Sequence, residues 1–370
     1  MMRRTLVFDM DHPLARENRC FAPGPTDDYL TVITHALQRQ AAAQGITPVT
    51  ADLFLHDPAA EDNAFIISHM VTANTPRLLA RGVDPAVCFS VESPLTAKRF
   101  YHDLRRQVAP FRHAFLFAGA APRLTGLHAI FHPLRIAMDA RGRLPLVPWA
   151  ERSFLVLVNS NKRAGSIAPG LPWRQRWQAE ATYWALRTID PLLRGRELYA
   201  DRLAAIRYFA RYDGFHLYGY GWDQPVHRAS RATQTAVRRA NRGEIAPGLR
   251  AKRAVLSRYR FAICFENTVF PGYLTEKLFD CLLAGCIPIY WGDPAVAELI
   301  PPACFVDYRR FGDLAELDRY LQQMKPTEAQ VYLDAAADFL ASAAYTPFLA
   351  DTFAAELLDA FKDSYEVGYH

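Results

Sequence analysis

Short apolar runs rich in β-branched and aromatic residues recur along this chain, and stretches with helical spacing lie between them. The runs at 5–8, 64–68, 86–91, 113–118, 127–131, 154–158, 215–218, 261–265, 287–291 and 304–306 read as strands. Helices are expected at 27–43, 94–107, 172–187, 198–212 and 276–284. Several strand runs are apolar at nearly every position, as a parallel sheet covered on both faces requires. Strand alternating with helix over the whole length predicts an α/β fold. The segment 133–152 holds three prolines and no clear period, so the domain boundary is placed there. This divides the chain into an α/β domain at 1–145 and a second at 152–345. Beyond 301 the pattern turns helical, at 314–324, 328–342 and 348–361, and residues 346–370 are expected to pack back across the domains as a terminal helix.

Composition narrows the function. Of 370 residues, 51% are hydrophobic and 22% charged, which excludes a disordered chain or a coiled coil. A net charge of +5 is too mild to mark a nucleic-acid binder. Ten basic residues between Arg228 and Arg260 face the single acid Glu244, and this stretch reads either as a solvated loop or as an anion-binding segment. Six scattered cysteines form no CxxC pair, and no run approaches the length of a membrane span. The first residues are too short an apolar run for a signal-peptide core. A reduced, cytoplasmic protein is the expectation, peripheral at the inner membrane at most.

Three motifs carry little. Asp9 and Asp11 form a DxD at a strand end, a pattern that suits a hard cation but is common by chance. His128 and His132 are four apart in a run that alternates like a strand, which reads as structural rather than zinc-binding. Gly219 and Gly221 supply two of the three glycines of a dinucleotide fingerprint.

The informative stretch is RFAICFEN at 260–267, GYLTEKLF at 272–279 and AGCIPIYWG at 284–292. A buried strand ends at a Glu-Asn pair, a Pro-Gly turn follows, and Thr275 stands at a helix N-cap position. Glu276 and Lys277 then occupy the first helical turn. A helix N-terminus attracts anions, and Lys277 adds a full positive charge. Glu276 makes sense there if it faces sugar hydroxyls or a developing cation. The plainer alternative is a capping pair whose lysine points into water. Gly285 and Gly292 read as packing and turn residues.

These three segments, in this order and spacing, resemble the α1,3/4-fucosyltransferase family, glycosyltransferase family 10, in a bacterial-type member. VESP at 91–94 is similar to that family's acceptor-domain motif, and RELYADRL at 196–203 resembles the segment that supplies its phosphate-binding arginine. Val269-Phe-Pro271 departs from the small polar and glycine residues usual there. The basic amphipathic tail of some bacterial members has no counterpart in this sequence, so the resemblance carries no membrane docking. It implies a GT-B-like α/β fold: two Rossmann-like domains facing each other across a cleft, with a C-terminal helical tail. It further implies an inverting transferase moving L-fucose from GDP-fucose to a GlcNAc-containing oligosaccharide or glycolipid acceptor, in α1,3 or α1,4 linkage. The carried-over roles are Glu92 as general base, Glu276 as the carboxylate at the fucose, and Arg196 and Lys277 as cations at the diphosphate. Asn267, Tyr273 and Lys252 complete the donor site. No metal or cofactor is obligatory, and a divalent ion would at most stimulate product release.

Three competitors stay open at this stage. One is a transferase using another GDP-sugar on a surface polysaccharide. Another is a phosphorylase-like enzyme with Lys277 as an aldimine lysine. The last is a non-catalytic nucleotide-sugar or glycan-binding protein.

Overall fold

The computed structural model describes residues 4–23, 28–57, 63–136, 138–139, 143–162, 173–227 and 229–366. Positions 27 and 172, where two helices were expected to begin, and Arg228 lie outside the described residues. The chain divides into two compact units, one of Met1–Asp139 with Thr346–His370 and the other of Ala140–Tyr345.

The first unit is built on a parallel sheet of order β2-β1-β3-β4-β5-β6. Its strands are β1 (Arg4–Met10), β2 (Ile46–Thr50), β3 (Ala64–His69), β4 (Asp84–Phe89), β5 (His113–Leu116) and β6 (Ile130–Pro133). In β3 every residue is buried, the pattern of a strand covered on both faces. The C-terminal helix Ala350–Glu366 belongs to this unit. Its Phe361 ring stacks on Phe65 at 3.6 Å between centroids, and Phe353 meets Phe89 and Phe115 edge-on.

The second unit carries a parallel sheet of order β11-β10-β9-β7-β8. These are β7 (Ser153–Val158), β8 (Phe215–Tyr218), β9 (Tyr259–Phe265), β10 (Ile287–Trp291) and β11 (Val306–Asp307). Its core gathers Leu155, Leu157, Phe209, Phe261, Ile263, Phe265 and Ile289, all at most 4% exposed. The helix Glu276–Ala284 joins β9 to β10 and ends on Gly285 at φ +67°. That left-handed conformation suits glycine and closes the helix.

Two local readings need correction. The basic stretch is not a loop, since it forms the helices Arg231–Ala240 and Leu249–Leu256. The single helix expected at 94–107 is two short ones, Lys98–His102 and Leu104–Val108.

Candidate active site

The site in the second unit is organised by a buried carboxylate. β9 runs through the core as an almost wholly buried strand and delivers Glu266 at its end, 0% exposed. A carboxylate removed from water must be paired and hydrogen-bonded. Glu266 accepts from the Thr275 backbone N–H at 2.8 Å, from Thr275 Oγ1 at 2.8 Å and from Lys277 Nζ at 2.9 Å. Space for it depends on Gly292, where a Cβ would collide with Glu266 Cγ. Thr275 does occupy the N-cap, but its hydroxyl makes no cap hydrogen bond and turns to Glu266 instead.

Lys277 therefore does not point into water. Its ammonium donates to Glu266 and to Thr275 Oγ1 and lies 3.8 Å from Glu276. Two of its three donors are engaged by these hydrogen bonds. Next to it, Lys252 Nζ pairs with Asp280 at 2.8 Å and with Glu276 at 3.5 Å. Arg253 Nε meets the other oxygen of Asp280 at 2.9 Å. Asp280 is fully buried, so the helix Glu276–Ala284 is clamped to Leu249–Leu256 by charge inside the protein. Burial would lift the Glu276 carboxyl, but Lys277 and Lys252 outweigh it and hold it down at about 2. Burial would likewise depress Lys252, and Asp280 and Glu276 reverse this and raise it.

Asn267 and Tyr273 are brought together: Asn267 Nδ2 donates to Tyr273 Oη at 3.2 Å. Asn267 Oδ1 accepts from Arg202 Nη2 at 3.0 Å, and Arg202 Nε donates to the Phe265 carbonyl at 3.1 Å. Arg196 reaches the same strand end through its backbone. Its carbonyl accepts from Val269 N and Thr268 Oγ1, while Leu198 N donates to the Asn267 carbonyl. The Arg196 guanidinium points elsewhere, lying 4.3 Å from the Trp291 ring and 3.0 Å from Asp201. It lines a cavity of about 690 Å³ with Asp201, Trp291, Tyr308, Arg309 and Phe311, a volume within the range of small-molecule pockets.

In the first unit, Glu92 follows the end of β4 and is half-buried. Its backbone is fixed by Ser90 Oγ, which accepts from Glu92 N, and by Tyr101 Oη, which donates to the Glu92 carbonyl at 2.9 Å. Asp9 is sealed at the end of β1. It accepts from Thr72 Oγ1 at 2.8 Å, Thr75 Oγ1 at 2.7 Å and Asn74 Nδ2 at 3.4 Å. Burial raises its carboxyl, against these donors and Ser68. Asp11 is exposed beside Arg16. The DxD is thus one structural and one surface carboxylate. Among the described residues no three His, Cys, Asp or Glu are grouped to hold a metal ion. His132 faces His113 at 3.0 Å and stacks on Phe115, a structural setting.

Sequence reasoning missed Glu266, Arg202, Arg253 and Asp280. Glu266 had a visible signal, a charged residue closing an apolar strand directly before the helix-forming motif. Arg202 sits in the same RELYADRL segment as Arg196, and only the start of the helix Tyr199–Phe209 decides which of the two turns inward. Arg253 and Asp280 are pairwise features of two helices that spacing does not reveal.

Residues 241–334 match the family described as glycosyltransferase family 10 (fucosyltransferase), C-terminal part. The α-(1,3)-fucosyltransferase FucT of Helicobacter pylori is 39% identical over 93 residues, 25% of this chain and 19% of that protein. An α-(1,4)-fucosyltransferase of Arabidopsis thaliana is 39% identical over 69 residues, 19% of this chain and 17% of that protein. These matches span less than a fifth of each relative. Over nearly the whole chain the fold is similar to a crystal structure of an α1,3-fucosyltransferase. That match has TM-score 0.50 and 18% identity, and it covers 97% of this chain and 89% of that one. It is also similar to Anabaena HepE in complex with UDP and glucose, with TM-score 0.52 and 11% identity over 98% of this chain and 100% of that one.

Proposed function

We propose that this chain, which carries the family 10 C-terminal domain at residues 241–334, is an inverting fucosyltransferase using GDP-fucose. The observation that carries the reading is the interlock of Glu266, Thr275 and Lys277 at the start of the helix Glu276–Ala284. A helix N-terminus with a fixed lysine suits a diphosphate leaving group. Lys277 offers its charge there, and Arg196 or Arg202 supplies a second cation. Glu276 is held ionised between two lysines, and an anion beside the anomeric carbon stabilises positive charge as the glycosidic bond to phosphate breaks.

Single displacement with inversion also needs a group to take the proton of the acceptor hydroxyl as its oxygen bonds to the anomeric carbon. A carboxyl held at about 2 is a poor proton acceptor near neutrality, so this role goes to Glu92 rather than Glu276. Asn267 and Tyr273, joined to each other, line the donor pocket, and Lys252 acts by holding Glu276. The acceptor is a GlcNAc-containing oligosaccharide or glycolipid. The charge compensation needs no metal, and turnover is expected to persist in excess EDTA. The reading places the enzyme in the cytoplasm, peripheral at the inner membrane at most; no helix among the described residues is long and apolar enough to cross a membrane.

The test incubates the full chain with GDP-fucose, GDP-mannose, GDP-rhamnose and UDP-glucose. Acceptors are of N-acetyllactosamine, lacto and O-antigen type, and products are read by mass spectrometry and NMR. Acceptor-dependent release of GDP with an α-linked fucosyl product is expected. Transfer of a different sugar, or binding of GDP-fucose without transfer to any acceptor, overturns the reading.

A further inference from the structure

The helix Trp173–Ile189 takes no part in the chemistry above. Two of its indoles are exposed to a degree unusual for apolar side chains, Trp177 at 70% and Trp184 at 56%. Seven residues make nearly two helical turns, so both rings project from one face, about 10 Å apart along the axis. Ala181 between them and Thr188 beyond them are exposed on the same face. Arg174 stands three residues before Trp177 and Arg187 three residues after Trp184, so an arginine flanks the pair at each end, with Glu180 and Ala181 between the two tryptophans in the sequence. The Arg187 guanidinium lies 5.9 Å from the Trp184 ring. Ile189, 65% exposed, closes the helix where it packs on the 3-10 turn Pro191–Arg194. The helix sequence holds three arginines against one acid, Glu180.

This face fits a plane better than a groove or a twin. Pairing it with a second copy would set arginines against arginines in either direction. A glycan site would need a concave wall beside the rings, whereas a single helix is convex. Indoles settle at the headgroup level of a bilayer, and arginines beside them bury their stems while meeting phosphate. We propose that the stripe of Arg174, Trp177, Trp184 and Arg187 docks the protein on an anionic lipid surface. The inference is independent of the donor chemistry.

The experiment is co-sedimentation of the full chain with vesicles of phosphatidylcholine alone and of phosphatidylcholine mixed with phosphatidylglycerol. Indole quenching by brominated lipid is read in parallel. Binding to the anionic vesicles, weakened by salt, is expected. W177A/W184A should weaken it by about tenfold or more through lost apolar area, and R174Q/R187Q by about fivefold for each arginine. Unchanged thermal melting shows that the variants are folded. The proposal fails if the parent ignores anionic vesicles or if W177A/W184A binds as the parent does. It also fails if the tryptophan pair changes oligomeric state in sedimentation rather than vesicle binding.

Discussion

At the end of β1, Asp9 is buried among two threonine hydroxyls and an asparagine amide, all neutral donors. At the end of β9, Glu266 is buried against a lysine, and Glu276 and Asp280 nearby are likewise matched to Lys252, Lys277 and Arg253. Both strand ends hold a carboxylate out of water, but with opposite chemistry. Neutral partners leave a carboxyl free to rise under burial, as Asp9 does. Cationic partners fix the charge, as they do for Glu276. The second unit therefore keeps its buried carboxylates charged, and on the proposed reading that charge acts on the donor. On the same proposed reading, proton transfer falls instead to Glu92, which belongs to the first unit.

The sharpest way to break this division is to neutralise one carboxylate in each unit. Glu92→Gln should cut fucosyl transfer by about 10²–10⁴-fold, the usual contribution of a general base, with GDP-fucose affinity preserved. Glu276→Gln should weaken donor affinity as well as turnover if, as proposed, its charge acts on the sugar. Titration calorimetry with GDP-fucose alongside initial rates separates the two. Transfer at the parental rate by Glu92→Gln would move the base elsewhere in the first unit, with Asp103 and His102 next to test.

Stability tests the same contrast. Asp280→Asn leaves Lys252 and Arg253 without their shared buried carboxylate, and such a loss costs about 3–5 kcal/mol. Asp9→Asn removes a charge whose partners are all neutral and keeps a hydrogen-bonding amide in place, so about 1–3 kcal/mol is expected. Urea unfolding of both variants measures the gap. A larger loss for Asp9→Asn would mean that neutral donors hold a buried carboxylate as firmly as cations do here.

How much of this could be read from residues alone depends on the type of feature. The helix Glu276–Ala284 was legible to the residue because an N-cap position, an apolar stripe and a terminal glycine agree locally. β2 was not foreseen, since Pro48 interrupts its run, and the strand tolerates proline because it lies at the sheet edge. The basic stretch looked like a loop because composition alone hides that Arg253 faces Asp280 across two helices. The site motifs pointed to a chemistry but not to the partners of its residues. Nothing in GYLTEK says that the threonine hydroxyl abandons its cap for Glu266, which is a long-range contact from the preceding strand.

The smallest expected effect concerns the two arginines of RELYADRL, of which the sequence reading took only Arg196. Arg196 is 60% exposed at its side chain, bridges Asp201 and rests on Trp291. Exposed pairs and cation–π contacts of this kind are each worth about 1 kcal/mol or less, so Arg196→Ala should barely change unfolding. If its guanidinium turns to the diphosphate, GDP affinity should still fall about tenfold, the lower end for a charge-assisted hydrogen bond. Arg202 is nearly buried and holds the Phe265 carbonyl and Asn267. Arg202→Lys keeps the charge but loses the fork that reaches both acceptors. Calorimetry with GDP on the two variants, set beside their urea midpoints, decides between them. Unchanged affinity in Arg196→Ala with weakened affinity in a stable Arg202→Lys would transfer the phosphate role to the inward arginine. Asn267 would then be the link between leaving group and donor pocket.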